Sequence, residues 1–477
     1  MRCKSLSLII AVAALPCALA GAVEPDAAEA LSSVAKVLGA EGLKSLEYSG
    51  SGTSFALGQA GTVGAAWPKF NDKSYQRTVS FEPWGSKLQR IRTQGETPPR
   101  GGGGQPIVGE QNQTQVVAPA SPAAAALADE LALALPQGFV KAAAAASDTS
   151  AKLESRNGKK YTVIQFTAGN KAITRGWVNE QNLLERVQTT VDHVVLGDTP
   201  YEVVFTGYQD FGSVKFPGRI QQTQGGYPVL DLNVTDVKIN VPVEFPAASP
   251  PPPQPALAIE QLADGIHLIT GGYAAVVIDF KDHVTVIEGG QNDQRSEAVI
   301  AEVKRLIPGK PITESVNTHA HFDHLGGVRA YVAEGATIVT HRSNPGYYQK
   351  VWKNPHTLAP DRLQRNPRAK FKTVNDKLTL TDGEKVVELY HLKDFGHHDG
   401  TLIAYLPQQK ILVQADAFKP PAAPLTQTPA VIDPYHQSLL ANIEQRGLDV
   451  QRIIPVHLPA DNRKIILAEL QTAVGKQ

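Results

Sequence analysis

From Ala27 to Val243 apolar and polar positions alternate in short runs, as in Tyr161 to Thr167, Arg186 to Val195, Tyr201 to Tyr208 and Val237 to Val243. A period of two puts the apolar side chains on one face of a strand, and Asn157-Gly158 and Gly225-Gly226 supply turns that join antiparallel neighbours. The pattern predicts a β-rich amino-terminal domain over 23–244. Two stretches interrupt it. Residues 97–120 carry Pro98-Pro99, four successive glycines from Gly101 to Gly104 and a polar Gln/Asn run, and are expected to be a mobile insertion. Residues 123–146 are alanine-rich and predict one or two helices, broken at Pro136-Gln137-Gly138.

Ser249 is followed by four successive prolines, then Gln254 and Pro255, a sequence that forms neither helix nor central strand. Residues 245–256 are therefore read as a stiff linker, and beyond it the periodicity changes. Ile266 to Thr270, Ala274 to Phe280 and His283 to Ile287 read as strands, followed by a helix from Arg295 to Ile307 with Val299, Ile300, Val303 and Leu306 on one face. Strands and helices continue to alternate to the end, which predicts an α/β domain over 257–477.

At the start, Met1-Arg2-Cys3-Lys4 is basic, Leu6 to Leu19 is apolar and Ala18-Leu19-Ala20 is a small-x-small site. Residues 1–22 are expected to be a signal peptide, cleaved after Ala20 or Ala22, which places the protein in the periplasm or outside the cell. The apolar run is too short for a stable membrane span. Cys3 and Cys17 are the only cysteines, so the processed chain would have neither disulfides nor thiolate ligands. Forty-six basic residues balance forty-six acidic ones, which gives nucleic acid no electrostatic footprint. The sequence sets no oligomeric state.

The densest chemistry lies in Thr318-His319-Ala320-His321-Phe322-Asp323-His324-Leu325-Gly326-Gly327, where three imidazoles and a carboxylate fall within six residues. This stretch follows the β-leaning run Ile312 to Val316 and precedes a helical one. His319 and His321, two apart in extended chain, project to the same side and can reach one ion. Asp323 and His324, at the turn, can face a second. Nitrogen and oxygen donors of this kind suit zinc or a similar divalent metal. His193, alone among apolar neighbours, is read as structural, and His267, His283, His341, His356, His391 and His436 as structural or exposed.

The H-x-H-x-D-H pattern resembles the signature of the metallo-β-lactamase superfamily, and further motifs of that family follow in order. Gly396-His397-His398-Asp399-Gly400 resembles its third-histidine loop, with His397 on the ligand position and His398 where Ser or Thr is usual. Ile411 to Asp416 resembles the strand that ends in a bridging aspartate, and Ile453-Ile454-Pro455-Val456-His457 the loop of the last histidine. Glu288 stands where the family commonly has Asp, one methylene shorter. The resemblance implies an αβ/βα sandwich over 257–477 and two ions, most simply Zn2+. One would be held by His319, His321 and His397, the other by Asp323, His324 and His457, with Asp416 between them.

The resemblance further implies a hydrolase whose nucleophile is a metal-bridging hydroxide, with Asp323 orienting it and carrying a proton. A bridging Asp416 is closer to the branches acting on ester, lactone or related bonds than to the exported β-lactamases, which form the second reading. A mononuclear iron sulfur dioxygenase is a third. A ligand-binding protein whose metal domain is structural is a fourth, of a different class.

Overall fold

A computed structural model describes residues 24–96, 99, 106–119, 121, 133–246, 256–364 and 368–476. The expected signal peptide, the proline run and the first part of the alanine-rich stretch lie outside the described residues.

The amino-terminal region opens with a helix, Ala27–Leu38, whose first turn is capped by Asp26 accepting from the Glu29 amide at 2.9 Å. Eleven strands follow: β1 (Ser45–Phe55), β2 (Lys69–Phe81), β3 (Trp84–Gln94), β4 (Gln111–Val117), β5 (Ser150–Arg156), β6 (Lys159–Thr167), β7 (Ile173–Val178), β8 (Leu184–His193), β9 (Gly197–Phe211), β10 (Val214–Gln224) and β11 (Tyr227–Ile239). They make one antiparallel sheet in the order β4-β3-β2-β1-β11-β10-β9-β8-β7-β6-β5. Tyr201, Val203 and Phe205 of β9 alternate inward, joining Leu46, Tyr48, Ile220 and Leu232 against Val34 and Leu38 of the first helix and Phe139 and Val140 of a second, Pro136–Ala145. Each such side chain contributes about 1.5–3 kcal/mol by burial, so a one-residue slip of β9 would turn three of them out of this core. The ladder between β1 and its neighbours shifts register at Gly50, where a Cβ would sit 2.0 Å from the Asn233 carbonyl oxygen; only glycine lets the strands approach so closely there.

One expectation is corrected here. Part of the 97–120 insertion is ordered: Gln111–Val117 pairs along β3, where Arg90 and Arg92 donate to Gln113 and Gln111 at 2.9 and 2.7 Å. Its polar side chains suit an outermost strand with no neighbour beyond it. Leu133 is helical, the chain turns at Ala134 and Leu135, and Pro136-Gln137-Gly138 then forms the first turn of the next helix, where proline's missing amide costs nothing.

The carboxy-terminal region contains two facing sheets. The first runs β12 (Ala258–Ala263), β13 (Ile266–Thr270), β14 (Ala275–Asp279), β15 (Val284–Ile287), β16 (Ile312–Val316), β17 (Thr337–His341) and β18 (Lys370–Val374), in that order. The second runs β19 (Lys377–Thr381), β20 (Val386–His391), β21 (Leu402–Leu406), β22 (Ile411–Gln414), β23 (Arg452–Pro455) and β24 (Ile465–Ile466). Val276 and Ile278 of β14 meet Leu402, Ala404 and Val413 of the second sheet in the central core. Val277 and Val286, on the opposite face, pack under Val299, Ile300 and Val303 of the helix Asp293–Leu306. Ile403 and Tyr405 face outward to Leu439, Leu440 and Ile443 of the helix Pro434–Gln445. Burial on both faces explains why these strands read as unbroken apolar runs. The layers are helix, sheet, sheet, helix: the αβ/βα sandwich, preceded by a β-rich region.

The two regions share a core. Trp67, Val195 and Leu196 from the amino-terminal side pack in one cluster with Phe322, Leu325 and Val328. Asp198 accepts from the Thr357 and Leu358 amides at 2.9 and 3.1 Å, and Asn354 donates to the Leu196 carbonyl at 2.9 Å.

Candidate metal centre

Segments that leave strand ends present most side chains of the site, and His397 comes from the loop between β20 and β21. β15 and β16 run parallel, as do β22 and β23, and the chain leaves each of the four at the same rim of the sandwich. After β16, Asn317 is pinned by its amide to the Val339 carbonyl at 3.0 Å and by its side chain to the His324 carbonyl at 3.0 Å. His319 and His321 follow, and the one-turn helix Phe322–Leu325 carries Asp323 and His324. After β22 the Gln414 side chain spans its own turn, accepting from the Ala417 and Phe418 amides at 2.9 and 3.0 Å and donating to the Phe418 carbonyl at 2.6 Å. That brace holds Asp416 in the left-handed region at φ 60°, which a non-glycine residue occupies at some cost in strain. His457 follows β23, whose next residue, Val456, donates to the Gln414 carbonyl at 2.9 Å.

Two groups of donors result. The donor atoms of His319, His321 and His397 lie within 4.8 Å of one another, as do those of Asp323, His324, Asp416 and His457. Asp416 touches both: its Oδ2 is 3.4 Å from Nε2 of His319, 3.4 Å from Nε2 of His397 and 2.8 Å from Nε2 of His324, while its Oδ1 is 3.0 Å from Nε2 of His457. Nε2 of His319, Nδ1 of His321 and both ring nitrogens of His397 are buried without a hydrogen-bond partner. Buried polar atoms are seldom left so, and three imidazoles that can each turn one such nitrogen toward the same point fit a divalent cation.

Each inward nitrogen is defined by what its opposite nitrogen does. Nδ1 of His324 donates to Glu288 Oε2 at 3.0 Å, while Glu288 Oε1 accepts from the Thr318 amide at 2.7 Å. Nδ1 of His319 is 3.0 Å from Thr318 Oγ1, and Nε2 of His321 is 3.0 Å from the carbonyl of Ala60. Such contacts fix the tautomer and ring orientation of a metal-binding imidazole. Burial first, then the neighbouring imidazoles, push His319 and His321 well below the ordinary histidine range, toward the neutral form that ligates. Burial also opposes charge on Asp416, but His324 and His397 outweigh it and hold the carboxyl well below the usual range.

All seven residues singled out as ligands in the sequence are thus brought together. Of the adjacent pair, His397 joins His319 and His321; Nδ1 of His398 instead accepts from the Gly400 amide at 2.9 Å, and burial pushes that imidazole down to about 3. The extra methylene of Glu288 does not displace it from His324. His193 caps a turn, its Nδ1 accepting from the Val195 and Leu196 amides at 3.1 and 3.2 Å. Three contributors carried no sequence signal. Tyr273 donates its hydroxyl to Asp323 Oδ2 at 2.9 Å and sets its ring edge-on to His457 at 4.4 Å. Gln59 donates to Asp323 Oδ1 at 2.9 Å, and Ala60 contributes only a carbonyl.

The metallo-beta-lactamase superfamily model matches residues 268–457. Among solved structures, a metallo-beta-lactamase from Pontibacter korlensis is 20% identical, with 46% of this chain and 97% of that chain covered and a TM-score of 0.35. The DIM-1 metallo-beta-lactamase is also 20% identical, over 46% and 94%, at 0.35. The FIM-1 enzyme of Pseudomonas aeruginosa, in a mono-zinc form, is 18% identical, again over 46% and 94% at 0.35. The family match supports metal-dependent hydrolysis as the general chemistry. It runs from Leu268 in β13 to His457, so that it takes in both donor groups, and the carboxy-terminal region of this chain belongs to the metallo-beta-lactamase superfamily.

Proposed function

We propose that the protein is an exported binuclear hydrolase that cleaves an ester, lactone or related bond in a small molecule. The observation that carries this reading is Asp416, a single carboxylate in contact with imidazoles of both donor groups. Export rests on the apolar segment Leu6 to Leu19. His319, His321 and His397 would hold one ion and Asp323, His324 and His457 the other, with Asp416 shared. Two zinc ions so placed supply Lewis acidity toward the substrate oxygen and activate water near neutral pH.

The side chains divide the remaining work. Asp416, with 8% of its side chain exposed and imidazoles around both oxygens, stays ionised and structural. Asp323 is 33% exposed and is the carboxylate open to a substrate, so its Oδ2 is where a proton would pass to the leaving group. Burial, then Asp323, push the Tyr273 phenol upward, keeping it protonated as a donor to that same oxygen.

The test is metal-stripped protein restored with zinc, freed of excess and analysed by mass spectrometry, followed by a panel of ester, lactone, thioester, lactam and phosphodiester substrates. About two zinc ions per chain with ester or lactone turnover is the expected result. A stoichiometry near zero removes the metal reading, and turnover confined to lactams replaces the substrate class. The intact mass of protein recovered outside the cytoplasm checks cleavage after Ala20 or Ala22.

A further inference from the structure

The loop of residues 56–68, which joins β1 to β2, belongs to the amino-terminal sheet, yet five successive residues of it reach segments that carry the donors. The Gly58 carbonyl accepts from the Phe322 amide at 3.3 Å. Gln59 holds Asp323 Oδ1 at 2.9 Å, across 264 residues of chain, and the Ala60 carbonyl faces Nε2 of His321 at 3.0 Å. The Gly61 carbonyl accepts from the Asp399 amide at 2.8 Å, and the Thr62 hydroxyl donates to the Asp399 side chain, two residues beyond His397.

The loop is itself anchored. Ala56 donates to the Pro68 carbonyl at 2.9 Å across its base. Trp67 stacks on Tyr227 at 4.9 Å and meets the Phe322 ring edge-on at 6.1 Å. Gly58 sits at φ 71°, and a Cβ there would lie 2.1 Å from the Phe322 ring, so the approach depends on glycine both for conformation and for space.

These contacts act on atoms that matter to an ion. With Nε2–H of His321 donating to Ala60, the lone pair of Nδ1 is left facing the first donor group, where it is buried and has no other partner. With Gln59 on Oδ1 and Tyr273 on Oδ2, the Asp323 carboxylate cannot rotate, and Oδ2 stays 3.5 Å from Nε2 of His324. We propose that loop 56–68 is part of the metal centre: the Ala60 carbonyl orients His321 in one donor group and the Gln59 amide orients Asp323 in the other, so that the amino-terminal sheet sets the zinc affinity of both positions. The inference rests on the two-ion reading given above. Gln59 is a positioning residue, since it acts through Asp323.

The test uses the full chain and zinc alone, with affinities measured by competition against a chromophoric chelator and folding followed by circular dichroism. Gln59→Ala is expected to weaken one of the two zinc ions by about 10–100-fold and leave the other unchanged, the usual size of a lost outer hydrogen bond to a ligand. Gly58→Ala, which drives the loop off Phe322, is expected to weaken both. Leu153→Ala, at an exposed side chain on the edge strand β5, is expected to keep both. Wild-type affinity at both positions in Gln59→Ala overturns the proposal, and that variant decides the matter should Gly58→Ala fail to fold. Wild-type protein that binds no zinc would instead defeat the two-ion reading itself.

Discussion

The amino-terminal sheet and the carboxy-terminal sandwich bury apolar side chains in different ways, and the difference governs where each can place chemistry. In the sheet, Tyr201, Val203 and Phe205 of β9 face a helix-lined core while Glu202 and Thr206 face outward, so the other face of this strand is spent on solubility. In the sandwich both faces are covered, and polar function is pushed to the strand ends, where His319, Asp416 and His457 emerge together at one rim. A region with no donor of its own in the two groups still supplies hydrogen bonds to two of the donors. Catalytic machinery and its support therefore need not lie in the same core.

The largest expected effect tests the rim. Asp416→Ala removes the carboxylate common to both groups, and zinc affinity and turnover should each fall by at least about 100-fold, read by chelator competition and substrate assay. Retention of two tightly held ions would show that the groups are independent. Next comes the sandwich's own stability. Arg329 is 1% exposed and pairs with Asp361, and it also donates to the carbonyls of Trp352 and Gln364 at 3.2 and 2.8 Å. Arg329→Met strands a buried carboxylate and should cost about 3–5 kcal/mol in chemical denaturation while zinc stoichiometry at saturation stays unchanged.

The matching lesion in the sheet is Gly176→Ala, whose Cβ would lie 2.2 Å from the Phe139 ring. Overpacking of this kind costs about 1–3 kcal/mol, and thermal unfolding should show it without a change in zinc affinity. If affinity falls as well, strain in β7 is transmitted to loop 56–68, and the two regions are more tightly coupled than their contacts suggest. The smallest effect concerns pH. Burial, then His356, lower His193 to about 4, below its ordinary 6.5, so the folded state keeps it neutral. Its contribution to stability is complete above pH 6.5, falls as the pH drops from 6.5 to about 4, and changes no further below that. His193→Asn, whose side-chain oxygen can accept from the same two amides, should flatten the stability profile in that window by up to one proton. Equal slopes for both proteins would assign the acid sensitivity elsewhere.

The donors were legible because metal chemistry is written in few residue types at short spacing. His319, His321, Asp323 and His324 declare themselves within six positions, and the order of the later motifs singled out His397, Asp416 and His457. The antiparallel sheet was legible from period-two alternation, though not its extent. Gln111–Val117 is polar on both faces and becomes a strand only because β3 offers it a ladder, while Pro136 reads equally well as a helix breaker or a helix start until its neighbours are placed. Tyr273, Gln59 and Ala60 were invisible for a different reason. Glutamine and a backbone carbonyl have no motif, and nothing in a linear pattern brings position 59 to position 323.

The pairing of β1 with both β2 and β11 gives the protein an order of assembly. A chain emerges amino-terminus first, from an export channel as from a ribosome, and domains generally fold as units. Every strand of the large sheet has emerged by Ile239, so the sheet can close and present Gln59 and the Ala60 carbonyl before His319 appears. The nascent ligand segment then meets a finished template, and the last donor to arrive is His457, near the carboxy terminus. Completion of the site, on this schedule, is one of the final acts of biogenesis, performed on a surface that was prepared first.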